Sequence, residues 1–236
     1  MKDQIMIDLE TMGSNPNAAI VAIGAVRFDM NPKSLVAIGE DTLYLNVDLQ
    51  DCMDHGLKVD GKTIMWWLKQ SDQAREVLQH GWHKLPQALD ILSSFSRGIQ
   101  GVWCHKTFDT IILDNAYRTL GRSTPWKYRD VLDLRTIDRF FLPGESVDDP
   151  DWVPHYAVSD AWHQALRLRN KLADPKVREF VEVLRSTEDM AQPNSKVVNL
   201  DISKADCPHC DWVLACRDDR EAWDARDSHI RKEHHD

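Results

Sequence analysis

No stretch of this chain approaches the roughly 18 consecutive apolar residues that cross a bilayer, so a membrane protein is not expected. The N-terminus, MKDQIMIDLE, carries an acid directly after Lys2 and a carboxylate inside its apolar stretch, which is not the pattern of a secretory signal. A cytoplasmic protein is expected. Cysteine is scarce. Cys52, Cys104, Cys207, Cys210 and Cys216 form an odd, scattered set that does not read as a disulfide framework. Positive charge is also short, with 29 Lys and Arg against 38 Asp and Glu and a net charge of −9. A protein that coats duplex DNA by charge alone is usually basic, so bulk nucleic-acid packaging is disfavoured. The deficit is compatible with an enzyme that gathers carboxylates around cations. Internal repeats and low-complexity tracts are missing too. What remains is ordinary globular composition, 42% hydrophobic and 28% charged over 236 residues. That length suits one substantial domain and a small second module.

The first part of the chain reads as strands. Ile5, Ile7 and Leu9 alternate with Met6, Asp8 and Glu10, a period of two. Ala19 to Phe28 and Thr42 to Val47 follow, and short connections suggest an antiparallel meander. After about residue 60 the period becomes helical. Helices are expected over Thr63 to Leu78, Leu85 to Phe95, Phe108 to Leu120 (closed by Gly121), Tyr156 to Leu172 and Val177 to Met190. Gly101 to Cys104 reads as a short strand, and Val131 to Phe141 as a strand end running into a helix. The implied fold is α/β, a mixed sheet with helices on its faces. Residues 1–190 are expected to form the main domain, 191–204 a linker, and 205–236 a module rich in Cys, His and Asp.

Asp8 and Glu10 lie two apart on the first strand, so both carboxylates leave one face while Ile7 and Leu9 bury on the other. Paired carboxylates repel unless a cation sits between them, and hard ions such as Mg²⁺ take oxygen ligands. The spacing alone also fits two solvated acids, and it recurs at Asp219 and Glu221. Asp109 follows the strand Gly101 to Cys104 and opens a helix, where open α/β sheets place ligands. A helix cap is its plainer role. His155 precedes a late helix, with Asp160 in its first turn.

This order of Asp8-Leu9-Glu10-Thr11-Met12-Gly13, Phe108-Asp109 and His155-Tyr156-Ala157-Val158-Ser159-Asp160 resembles the DEDDh family of 3′–5′ exonucleases. The bacterial and phage branch that includes exodeoxyribonuclease VIII looks most similar, through Ile111, Leu113, Ala116-Tyr117, Asp130-Val131 and Leu134-Arg135-Thr136. The segment Trp103 to Thr107 departs from that branch, where Gly and Asn are common. The resemblance implies a ribonuclease H-like fold with a five-stranded mixed sheet. It implies that Asp8, Glu10, Asp109 and Asp160 hold two Mg²⁺ or Mn²⁺ ions and that His155 is the general base. Two ions about 4 Å apart stabilise both the attacking and the leaving oxygen, and a neutral His can take a proton near neutral pH.

The resemblance also implies that Thr11 and Met12 approach the 3′-terminal nucleotide and that Leu9 or Phe108 wedges near the last bases. His105, Lys106 and Arg135 are placed to touch phosphate, although Arg135 equally suits an ion pair with Asp130 or Asp133. Tyr117 to Arg129 interleaves cations with rings, which suits a single strand. Trp66 and Trp67 read as core, and His80 and His83 as surface residues. The expected partner is the 3′ end of DNA, or of RNA in the rival reading. A catalytically idle adaptor is the reading from another class. A homodimer stays open.

In the tail, Cys207-x2-Cys210 is followed after eighteen residues by His229-x4-His234. Two thiolates and two imidazoles suit one tetrahedral structural Zn²⁺. His235 competes with His234, and Cys216 and His209 are outside alternatives. So few apolar residues could hardly fold without a metal. Residues 191–236 hold seven basic and ten acidic side chains, a poor profile for binding DNA independently. A clamp, a protein contact or a stabilising cap is open for this module.

Overall fold

The computed structural model describes residues 2–30, 41–105, 108–141, 152–175, 177, 204–206 and 213–215. Chain contacts divide the protein into two units, Met1–Val181 and Glu182–Asp236.

In the first unit, β1 (Gln4–Thr11), β2 (Ile20–Phe28) and β3 (Thr42–Asn46) form the antiparallel meander, while β4 (Gly101–Cys104) and β5 (Val131–Asp133) add to it in parallel. The five-stranded order is β3-β2-β1-β4-β5, which puts β1 in the centre. The helices are α1 (Leu49–Asp54), α2 (Gly61–Trp67), α3 (Asp72–Arg75), α4 (Leu85–Phe95), α5 (Asp109–Thr119), α6 (Leu134–Phe141) and α7 (Ala157–Ala173).

The period-two pattern of β1 decides what lies on each side of the sheet. Ile5, Ile7 and Leu9 enter the larger core, with Leu85, Leu89, Leu92 and Ile112 from α4 and α5. Met6 enters a second core with Val26, Phe28 and Trp103, covered by Ala161, Ala165 and Leu168 of α7. Asp8 and Glu10 share the Met6 face, farther along the strand. One face of β1 is therefore apolar from Ile5 to Leu9, and the other changes from packing to carboxylates beneath α7.

Two helical expectations differ from the structure. The single helix over Thr63 to Leu78 is broken into α2, α3 and a 3₁₀ turn at Glu76–Leu78. Ser71 causes the break: its backbone is extended (ψ 158°) and its side chain accepts from Ala74 N at 3.2 Å, which starts a new helix. The second difference is α1, which has no counterpart in the sequence reading. Asp48 caps it by accepting from Asp51 N at 3.1 Å. The helix expected over Val177 to Met190 lies outside the described residues, apart from Val177 itself.

In the second unit, Lys204–Asp206 (β6) pairs antiparallel with Val213–Ala215 (β7). The expected zinc ligands Cys207, Cys210, His229 and His234 lie outside the described residues, as do 191–203 of the expected linker.

Candidate active site

The four carboxylates come from three elements. Asp8 and Glu10 stand on β1, Asp109 is the first residue of α5, and Asp160 lies in the first turn of α7. Asp109 is not the cap of α5; that position belongs to Phe108. Its carboxylate instead accepts two backbone N–H groups, from Leu9 at 3.2 Å and His105 at 2.9 Å. The parallel pairing of β1 with β4 extends to Met6 and Trp103, and beyond it Asp109 ties the two strands together.

Asp160 is held as firmly. One oxygen accepts from Trp152 Nε1 and the other from His155 N, each at 2.8 Å. His155 has φ +62°, an uncommon conformation for a non-glycine residue that turns the chain into α7. Asp8 accepts from Gln164 Nε2 at 2.8 Å. Gln164 follows Asp160 by four residues, so both face the sheet from one side of α7.

Two groups of potential ligand atoms result. Asp8, His105 and Asp109 form one, and Glu10, His155 and Asp160 the other, with the donor atoms of each group all within 4.8 Å of one another. Both groups open into a cavity of about 430 Å³. Leu9, Phe108 and Arg135 of the expected contacts also line it. The sequence reading missed Trp152, His163, Gln164 and Arg167, which line it too. The helical spacing of His163, Gln164 and Arg167 around Asp160 was the available signal. Trp152 had none, because its partner carboxylate is found only in three dimensions. Its ring stacks on His163 with centroids 4.5 Å apart.

Burial sets the electrostatics. It is the main cause that raises the carboxyl pKa of Asp8, and repulsion from Asp109, Glu10 and Asp160 adds to it. Burial pushes Glu10 up to about 8, with Asp160 and Asp109 adding to the rise. Asp109 and Asp160 are raised by burial as well, against the opposing pull of their hydrogen bonds. Such a site favours neutral carboxyls until positive charge enters it. Gln164 Oε1 is buried and has no hydrogen-bond partner, so the site also holds an acceptor in need of a donor or a cation.

Other expectations are redistributed. The Thr11 side chain is buried and donates to Gly13 O at 2.6 Å, and Met12 belongs to the core. Neither lines the cavity, because the strand ends with both side chains packed inward. Trp67 is core, and its Nε1 donates to Thr11 O at 3.0 Å. Trp66 is not: it is 40% exposed and meets the His155 ring edge-on, centroids 4.8 Å apart. The Tyr117 to Arg129 segment is divided, with Tyr128 exposed beneath the Arg129 guanidinium. Tyr117 is buried with its hydroxyl donating to Leu89 O, while Arg118 pairs with Asp114 and Arg122 with Asp90. His80 is exposed, but His83 is half-buried with Nδ1 3.2 Å from Asn46 O. Lys106 lies outside the described residues. Cys52 and Cys104 are buried free thiols, and no helix among the described residues is long and apolar enough to cross a membrane.

Comparison with known proteins agrees with this fold. Solved structures share the fold at low identity. Exonuclease I from Methylocaldum szegediense matches with a TM-score of 0.51 and 17% identity, over 76% of this chain and 42% of that one. The zinc-bound E. coli exonuclease I complex with single-stranded DNA matches at 0.52 and 17%, over 80% and 44%. This chain thus spans less than half the length of those two proteins. S. pombe Pop2p with Mg²⁺ and Mn²⁺ bound matches at 0.51 and 14%, over 74% and 84%. An exodeoxyribonuclease of Enterobacteria phage T4 is 35% identical over 202 residues, covering 71% of this chain and 88% of that protein. Residues 3–172 match the Rv2179c-like 3′–5′ exoribonuclease domain. The chain belongs to that family and is a 3′–5′ exonuclease with a ribonuclease H-like α/β fold.

Proposed function

We propose that the protein hydrolyses the 3′-terminal phosphodiester of a DNA strand and releases nucleoside 5′-monophosphates, with His155 as general base. The observation that carries this reading is the convergence of Asp8, Glu10, Asp109 and Asp160 with His155 in one cavity. Divalent cations fit the donor set, because four crowded carboxylates with raised pKa values need positive charge to ionise together. Asp8, Glu10, Asp109 and Asp160 would hold two Mg²⁺ or Mn²⁺ ions. When bound, such ions supply Lewis-acid stabilisation of the attacking and leaving oxygens.

The chain's own contribution is to orient groups in advance. Leu9 and His105 N–H fix Asp109, Gln164 fixes Asp8, and Trp152 with His155 N–H fixes Asp160. The His155 ring, held against Trp66, takes a proton from the attacking water. Phe108 offers apolar surface to the terminal bases, and Arg135 offers charge to a phosphate. DNA is the favoured polymer because the phage relative is an exodeoxyribonuclease. RNA is the second reading, which the family description favours.

The test is a denaturing gel of 5′-labelled DNA and RNA with Mg²⁺, Mn²⁺ or EDTA. A one-nucleotide ladder from the 3′ end of DNA, lost in EDTA and in Asp8→Asn, supports the proposal. A ladder on RNA alone transfers it to the second reading. Full cleavage by Asp8→Asn overturns the site.

For the tail we propose one structural Zn²⁺ on Cys207, Cys210, His229 and His234, whose donor chemistry fits that ion. Metal analysis should give one zinc per chain, lost in Cys207→Ser. Equal zinc content in that variant would refute the ligand set.

A further inference from the structure

The proposed site has four carboxylates, yet one of its two ligand groups contains a histidine that this reading leaves without a task. His105 follows directly on β4, and its imidazole nitrogen lies within 4.8 Å of carboxylate oxygens of both Asp8 and Asp109. Its main-chain N–H is already committed to Asp109 Oδ2 at 2.9 Å, so the residue is anchored at its backbone while the ring faces the same pair of acids. The ring is half-buried and lines the cavity. A ring aimed outward to catch phosphate would stand apart from the carboxylates. This one stands among them.

A second observation points to a ligand at the same place. Gln164 Nε2 donates to Asp8 Oδ1 at 2.8 Å, and the other end of its amide, Oε1, is buried without a partner. Gln164 is 8% exposed and lines the same cavity. An acceptor left open beside Asp8 is complemented by a cation or by a water that a cation holds.

We infer that His105 is a nitrogen ligand for the ion shared by Asp8 and Asp109, and that it biases this position towards Mn²⁺ over Mg²⁺. The inference rests on the metal site proposed above. Mg²⁺ takes oxygen ligands and keeps its waters, whereas a first-row transition ion accepts imidazole readily. One imidazole among carboxylates therefore favours the transition ion without excluding oxygen ligation.

The test uses the full-length protein stripped of metal. Spin-echo spectroscopy of bound Mn²⁺ detects directly coordinated nitrogen. It is recorded in the His155→Ala background, so that the imidazole of the second ligand group contributes nothing. Nitrogen modulation is expected there and should vanish when His105→Asn is added. Calorimetric titration should show Mn²⁺ binding weakened about tenfold or more by His105→Asn, with Mg²⁺ binding changed less than about threefold. Circular dichroism checks that each variant folds, and His105→Gln replaces the asparagine variant if that one does not. No nitrogen modulation in the His155→Ala protein overturns the inference, whatever the variants do. Mn²⁺ binding that Asp8→Asn weakens but His105→Asn does not removes His105 alone. Binding unchanged in Asp8→Asn removes the underlying metal-site reading as well.

Discussion

Replacing Glu10 with Gln should make the metal-free protein more stable while taking away its response to metal. Glu10 is buried, and its carboxyl is raised from 4.5 to about 8, first by burial and then by Asp160 and Asp109. A group raised in the fold stabilises it while protonated. That contribution is complete below about pH 4.5 and is lost as pH rises towards 8. At about 1.36 kcal/mol per pH unit, the full rise corresponds to about 5 kcal/mol. Water entry and relaxation of the neighbouring acids reduce it, so an advantage of about 2–5 kcal/mol is expected for the neutral isostere above pH 8. For a domain of this size that is roughly 5–20 °C in melting temperature.

The assay is thermal unfolding by circular dichroism in EDTA at pH 5 and pH 9. The two proteins should melt within about 3 °C of each other at pH 5, and Glu10→Gln should melt clearly higher at pH 9. Saturating Mn²⁺ should narrow or reverse the order, because binding to the folded state stabilises the wild type more. Coincident melting at pH 9 would refute the idea that Glu10 is held at an electrostatic cost. An equal advantage at both pH values would show that packing, not charge, caused it.

Trp66→Ala should lower turnover about ten- to a hundredfold with KM nearly unchanged, because His155 loses the ring it rests on. A matching loss of substrate binding would instead make Trp66 a stacking platform. Trp67→Phe should cost about 2–4 kcal/mol in chemical denaturation, since it leaves Thr11 O without its indole donor and opens a gap in the core. Gly24→Ala should strongly destabilise the fold or inactivate it, because the added Cβ would overlap the carbonyl carbon and oxygen of Ala157. Normal activity and melting in that variant would show that α7 can shift without harm.

The legible parts were those with local causes. The alternation in β1, the helical spacing of α4 and the left-handed Gly121 (φ +68°) are each written in neighbouring residues. So was the order of Asp8, Glu10, Asp109, His155 and Asp160. Its force came from family resemblance, because either pair alone reads equally well as solvated charge. The break at Ser71 was missed because the apolar spacing continues through it, and a single hydroxyl cap outweighs that spacing. Trp66 and Trp67 are adjacent and chemically identical. Their different fates, exposed and core, follow from where α2 lies against His155 and Thr11. No window of sequence contains that information.

The approach of α7 to the sheet explains why the site exists at all. Gly24 sits on β2 directly opposite Asp8 on β1, and the backbone of Ala157 and Val158 occupies the space where a side chain would stand. A glycine in a strand interior weakens the strand, and close approach of another backbone is a standard reason to keep one. Here that approach lowers the first turn of α7 onto the carboxylate face of β1, and the first turn carries Asp160. The left-handed His155, two residues before α7, turns its N–H to the Asp160 carboxylate and its ring to Trp66. A missing side chain on one strand and a strained residue before one helix thus bring acids 150 residues apart, Glu10 and Asp160, into a single ligand group. Burial first raises the carboxyl of Glu10, and the Asp160 that this approach brings near raises it further, so the feature that assembles the site also makes it costlier to hold without cations.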